Sequence, residues 1–208
     1  MKFRKLHADE IDVRVGQVGK KSVSLLLYKD ARVDMSILDE TVGPDNWQRE
    51  HYELKGNLFC RVGIRVTEVK LTESSMEYAT NQWVWKSDVG TESSFDKVKG
   101  EASDSFKRAC VNWGIGRELY SGPKIYISLE DAEIKDGKAS QFLKFRVSEL
   151  GYDENGEINR LTIMKLKWNG TDDHVVYSYG LTEDLTGKKP APSTKTERTG
   201  EPAKEFKR

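Results

Sequence analysis

Between Asp88 and Arg108, five carboxylates (Asp88, Glu92, Asp96, Glu101, Asp104) are interleaved with four cations (Lys97, Lys99, Lys107, Arg108). Two chemistries fit those types. Carboxylates converging on one pocket hold paired metal ions and cut phosphodiesters, whereas lysines and arginines on one face of an element hold phosphates. Glu101 and Asp104 are one helical turn apart, but Lys97, Lys107 and Arg108 flank them. Ion pairing on a helix surface accounts for these acids more simply than a metal site. A metal-dependent nuclease is therefore the lesser reading. For Lys107 and Arg108 alone, the ordinary reading is two solvated helix charges.

No other segment is built for catalysis. Thr186-Gly187-Lys188-Lys189 lacks the upstream glycine and the magnesium-holding hydroxyl of a phosphate loop, so no ATP hydrolysis is expected. GxSxG and HExxH are absent, and no cofactor is implied. Cys60 and Cys110 stand far apart without a CxxC, and His7, His51 and His174 are scattered. The cysteines read as buried, reduced thiols of a cytosolic protein rather than a disulfide or a metal pair.

The cations need a helix and a sheet to hold them. Over Ser94–Trp113, the residues Val98, Ala102, Phe106, Ala109, Cys110 and Trp113 fall within about 60° of Phe95 on a helical wheel. Lys97, Asp104, Lys107 and Arg108 fall opposite, and Gly114 and Gly116 end the helix. Upstream, Ser22–Tyr28 reads as a strand and Lys29–Thr41 as a short amphipathic helix closed by Gly43-Pro44-Asp45-Asn46. Trp47–Leu54 and Asn57–Thr67 form a hairpin across Lys55-Gly56, Glu68–Ser75 is a joining segment, and Met76–Asp88 is a third strand. This order predicts an α+β domain, an antiparallel β-meander in one sheet with a long helix packed on one face. Lys124–Leu129, Gln141–Leu150, Glu157–Trp168 and His174–Tyr179 add further hairpins to which no chemistry is assigned.

Lys99–Tyr120 combines Asp-x-x-Lys-Arg-Ala (Asp104–Ala109) with an aromatic-Gly-x-Gly ending (Trp113–Gly116). It closely resembles the signature helix of the Rad-fifty-two-like single-strand annealing proteins, which include the phage proteins called Sak. Leu38–Trp47 resembles that family's short helix, turn and tryptophan. The resemblance spans about Leu25 to Tyr120. It implies a ring or open arc of many subunits, with single-stranded DNA in an outer groove, phosphates on basic side chains and bases left exposed for pairing. Annealing is downhill for complementary strands, so neither ATP nor metal is required, and the role implied is homologous recombination and DNA repair. The short chain suits a phage or prophage origin. The alternative is a passive protector of single strands.

Carried over residue by residue, Lys107 and Arg108 match the family's phosphate-contacting pair, and with the whole motif present phosphate contact becomes the favoured reading. Lys99 matches a basic position further upstream; at the edge of the apolar stripe it either snorkels along the core or points into the groove. Arg32 lies near the family's basic residue at the start of the first helix, one position out of register. The third basic residue is replaced here by Val111, so charge must come from elsewhere: Lys97, Arg61, Arg65, Lys86 and Arg117 are the candidates. Trp83 and Trp85 share a strand face, suited to base stacking or, in preference, to core or subunit packing. Trp47, Trp113 and Tyr120 are assigned to packing.

Net charge is zero, but the stretch from Thr186 to Arg208 is basic and leaves 27 basic and 31 acidic residues for the body, a net of −4. A DNA surface on the body must be a local stripe. Residues 1–184 read as the annealing domain. Residues 185–208, proline-rich and poor in large apolar residues, read as a disordered tail. That tail is either a solvated linker or a tether for DNA or another protein, such as a single-strand binding protein. With neither a membrane-length apolar run nor an apolar stretch after Met1–Lys5, a cytoplasmic location in a bacterial or phage-infected cell is expected.

Overall fold

The computed structural model describes residues 1–71, 77–91, 97–135, 137–140 and 142–180. The expected tail and the acids Glu92 and Asp96 lie outside them. Strands β3 (Trp47–Leu54), β4 (Asn57–Leu71) and β5 (Glu77–Val89) form the antiparallel meander. Lys55 and Gly56 have φ of 54° and 75°, the paired positive values of a turn whose twist suits a two-residue hairpin. The register runs unbroken from Leu54↔Asn57 to Trp47↔Ile64. β4 continues past its expected end, because Glu68–Leu71, read as a connection, pairs with Glu77–Thr80. Its charged residues break the apolar alternation that marks the rest of the strand.

Helix α2 (Lys97–Trp113) crosses one face of this meander, and α1 (Ala31–Val42) packs beside it. Cys60, Val62 and Ile64 of β4 are fully buried against Phe106, Ala109 and Cys110 of α2. Burial of the larger of these, Val62, Ile64 and Phe106, stabilises by about 1.5–3 kcal/mol each. The indole N–H of Trp47 donates to Asp39 Oδ1 (2.6 Å) and that of Trp113 to the Val62 carbonyl (3.0 Å), so both indoles pack as expected with their polar atoms satisfied. The stripe starts later than the wheel implies, since Val98 is 76 % exposed. The helix is tied to the sheet from Glu101 onward, where that carboxylate accepts the Leu58 N–H at 3.0 Å.

The meander and its helix match the sequence pattern, but the single sheet does not. β2 (Ser22–Tyr28) is the centre of a second sheet, flanked by β1 (Asp12–Val18) and β6 (Ile125–Ser128). β1 escaped the sequence reading because Gly16 and a register shift between Val15 and Val18 interrupt its alternation. β7 (Phe145–Tyr152), β8 (Ile158–Leu166) and β9 (Asp172–Tyr179) form a third sheet. Its Phe145, Val147, Ile158, Leu161 and Ile163 join the same core cluster as Phe3, Leu6 and Ile11. Leu6 is pinned there on both backbone atoms. Its N–H donates to the fully buried Glu118 of α3 (Glu118–Ser121) at 3.0 Å, and its carbonyl accepts the Tyr152 hydroxyl at 2.9 Å.

Candidate nucleic-acid interface

On α2, Gly100, Ser103, Asp104, Lys107, Arg108 and Val111 follow at three- and four-residue steps and share one face. That face, with Leu26–Lys29 at the end of β2, Arg14 of β1 and Leu119–Tyr120 of α3, encloses a groove of about 590 Å³. The pairing Arg14↔Leu26 carries Arg14 to this groove, and its guanidinium lies 5.5 Å from the centre of the Tyr28 ring. Tyr120, assigned to packing from sequence, is instead 67 % exposed on the groove's rim. It sits on the four-residue α3, past the end of the long helix, where the apolar stripe no longer dictates burial.

The floor is a buried ion pair. Lys29 Nζ lies 2.6 Å from Asp34 Oδ2, with the side chains 4 % and 0 % exposed. Gly116 passes over the lysine stem at φ 67°, and a Cβ there would stand 2.2 Å from Lys29 Cε, so only glycine fits. Burial pushes the Asp34 carboxyl up to about 6, against the opposing charge of Lys29. Because Lys29 is matched internally, it adds no net charge to the groove.

The charges that do face solvent are Arg14, Lys107 and Arg108, opposed by Asp104, which accepts the Thr91 N–H at 3.0 Å. Among the described residues Lys107 has no hydrogen-bond or ion-pair partner. Arg108 donates through Nη2 to Asp88 Oδ1 (3.1 Å), yet its buried Nε–H meets no acceptor among them. Such a donor is costly to leave unmade. The arrangement is a shallow cationic channel with tyrosines at its edges, suited to a flexible polyanion carrying aromatic groups.

The other candidate cations are elsewhere. Lys86 donates to the Asn112 carbonyl (2.9 Å) and lies over the Trp113 ring (4.6 Å); Arg117 donates to the carbonyls of Val111 and Asn112 (3.0 and 3.2 Å). Both are spent on the C-terminal end of α2, where cations offset the helix dipole. Arg32 is exposed and pairs with Asp30, the N-cap of α1, at 2.8 Å. Lys99 is exposed near the start of α2 and is not among the residues that line the groove. The Lys97 side chain lies outside the described residues. Arg61 and Arg65 are on the face of the meander turned away from α2, where Arg61 pairs with Glu50 (2.6 Å) and Arg65 donates to Asn46.

That outer face also holds Trp83 and Trp85, with ring centroids 6.1 Å apart. They share a face as the alternation requires, but it is not the core face: Trp83 is 38 % exposed and Arg61 covers Trp85 at 4.4 Å. Tyr52 stacks on Phe59 nearby at 5.5 Å. Of the acids behind the nuclease reading, the three that are described have structural roles, Asp88 with Arg108, Glu101 on the Leu58 amide and Asp104 on the Thr91 amide. Among the described residues no three His, Cys, Asp or Glu side chains are placed to hold a metal ion, and no helix is long and apolar enough to cross a membrane.

Residues 3–137 match the model of the Rad52/22 family of double-strand break repair proteins. The chain is 34 % identical over 108 residues to the single-stranded DNA-binding protein DdrA of Deinococcus radiodurans, covering 52 % of this chain and 46 % of that protein. It is 33 % identical over 109 residues to DdrA of Deinococcus deserti, covering 52 % and 48 %. The chain thus spans about half the length of these curated relatives. No solved structure matches.

Proposed function

Since the chain belongs to the Rad52/22 family of double-strand break repair proteins, we propose that it binds single-stranded DNA in the groove between α2 and the β1–β2 edge and anneals complementary strands without ATP. One observation carries this reading: Lys107 and Arg108 face Arg14 across the groove, with Lys107 unpaired among the described residues and the Arg108 Nε–H unmet. These cations contact phosphates and read no sequence, which leaves base edges free for a second strand. The protein lowers repulsion between two polyanions and extends the bound strand; the pairing energy is the DNA's own. In this reading the chain is not an enzyme, residues 1–184 are the annealing unit, and the basic residues of 185–208 tether DNA or a partner protein.

On a body of net charge −4, a single groove is a thin patch, and the proposal includes assembly of several copies into a ring or arc. The outer face of the meander, with Tyr52, Phe59, Trp83 and Trp85, is the surface best suited to a second copy. A particle of 23.7 kDa in solution, with and without DNA, counts against assembly. The annealing test mixes two complementary labelled oligonucleotides with protein, without nucleotide or metal. A rate no faster than the protein-free control ends the annealing claim.

The relatives are described as single-stranded DNA-binding proteins, which favours a second reading, passive protection. Coating both strands beforehand separates the two, because a protector slows their pairing and an annealer speeds it.

A further inference from the structure

We propose that a bound strand does not stop at Lys107 and Arg108 but continues over β1 along a track ending on Phe142 and Trp168; this rests on single-strand binding in the α2 groove. Arg14 and Tyr28 line that groove and also a second cleft of about 470 Å³, whose far wall includes Ser140, Leu143, Lys144 and Leu166. Ala139 and Ser140 in turn line a third cleft of about 600 Å³ that contains Lys135, Lys138 and Phe142 together with Glu130 and Glu133, the latter paired with Lys165. The three hollows are thus joined by shared walls, and among the described residues the charges on the second are Asp12, Arg14 and Lys144.

At the far end stand two large exposed aromatics. Trp168, in the β8–β9 turn, is 81 % exposed and Phe142 is 56 % exposed, with ring centroids 5.0 Å apart in an edge-on contact. The Leu166 N–H donates to the Lys144 carbonyl at 2.9 Å, which holds the two segments side by side. Segments 135–145 and 165–170 together carry five lysines and one aspartate. Lys165 is taken up by Glu133 (3.0 Å), while Lys135, Lys138, Lys144 and Lys167 are exposed. Exposed rings amid an excess of lysine fit a single strand, whose bases stack without sequence preference while its phosphates take the ammonium groups. A protein partner would need matching acidity and gains nothing from continuity with the groove. Lys138, Phe142, Lys144, Lys167 and Trp168 all lie beyond residue 137, where the family match ends, so the extension does not follow from that match.

The test uses the full chain and fluorescence anisotropy with oligothymidylates of about five and about twenty nucleotides, short and long relative to typical site sizes. In a Phe142→Ala/Trp168→Ala variant, and separately in Lys144→Glu, affinity for the long oligonucleotide should fall roughly five- to hundredfold, with the short one unchanged. The high exposure of these side chains keeps the fold out of the comparison, and a melting curve checks it. Long-oligonucleotide binding at wild-type strength overturns the track and leaves the aromatic pair to a protein partner. Equal weakening for both lengths also overturns it, since the effect is then not one of added path. A wild-type chain that binds neither length sinks the groove reading and this extension with it. Loss confined to the long oligonucleotide, beside a Lys107→Ala/Arg108→Ala variant that weakens both, establishes the two parts separately.

Discussion

Replacing Lys107 and Arg108 together by alanine removes two of the three cations that face the groove and should leave the fold intact. Lys107 has no hydrogen bond or close ion pair to lose among the described residues, only its longer-range attraction to Asp30 and Asp34. Asp88, freed of Arg108, keeps the Val89 N–H at 2.8 Å, and the lost ion pair, 39 % exposed on the arginine side, is worth about 0.2–1 kcal/mol. For a chain of this size that lowers the melting temperature by at most about 4 °C. The cost to binding is larger. A hydrogen bond to a charged group contributes about 1.5–3 kcal/mol, and half-exposed side chains belong at the lower end. Two such contacts give about 3 kcal/mol, or roughly a hundredfold weaker Kd. Each phosphate contact to a single strand also contributes about 0.7 to the slope of log K against log salt, so the slope should flatten by about 1.4. Raising salt about fourfold should then narrow the gap between wild type and variant by about sevenfold. Anisotropy titrations at several salt concentrations measure both quantities. An unchanged slope refutes the phosphate-contact reading even if affinity falls, because lost affinity without a changed slope means a distorted site rather than missing charges.

The groove floor makes its own prediction. Asp34→Asn leaves Lys29 buried without its anion and should cost about 3–5 kcal/mol in urea unfolding, while Lys29→Met with Asp34→Leu should recover most of it; a single variant as stable as wild type removes the pair from the core's energetics. His174 lies between Asp131 (Nε2, 2.8 Å) and Asp173 (Nδ1, 3.2 Å), and the Asp131 hydrogen bond foremost raises its pKa above 6.5. A raised histidine stabilises fully below its unfolded pKa and loses that contribution as pH climbs through the folded one. Melting temperature should therefore decline more across about pH 6–8 in wild type than in His174→Ala, and parallel profiles would dismiss the clamp. Burial pushes the Cys60 thiol up to about 11 and Cys110 well above its ordinary value. Both should resist thiol reagents in the native protein and react in denaturant, and rapid native labelling of either would contradict their place in the core.

How far the sequence reached depended on whether a feature is local. The meander and α2 are legible because Leu58, Cys60, Val62 and Ile64 alternate and Phe106, Ala109 and Cys110 repeat at helical steps, signals carried by neighbours in the chain. The groove is not local. Its second wall comes from Arg14, which reaches α2 only because β1 pairs with β2 and β2 runs into Lys29 at the floor. Without β1, Arg14 is an ordinary polar residue. Lys86 and Arg117 show the same limit, since composition shows a cation but not the carbonyls at the end of α2 to which it donates. Glu118 carried no sequence signal at all: a buried carboxylate in Arg-Glu-Leu-Tyr makes sense only once the Leu6 amide, more than a hundred residues away, is seen to meet it.

The thinness of the cationic stripe then decides what must be measured next. In about 0.1 M salt, charges more than about 10 Å apart scarcely reinforce one another, and Arg14, Lys107 and Arg108 alone are too few to hold a strand tightly on a body of net charge −4. Two ways of lengthening the stripe are available. Neighbouring copies can bring their grooves into line, or the track can run on within one chain to Lys144 and Trp168. They differ in site size per protomer. Under assembly alone the number of nucleotides bound per chain is set by the spacing of copies, and Trp168→Ala leaves it unchanged. Under a continued track the same substitution reduces it while particle mass stays constant. Stoichiometric titration of long single strands, with particle mass measured on the same samples, separates these outcomes. A site size that shrinks only when particle mass falls would place the whole of the lengthening in assembly.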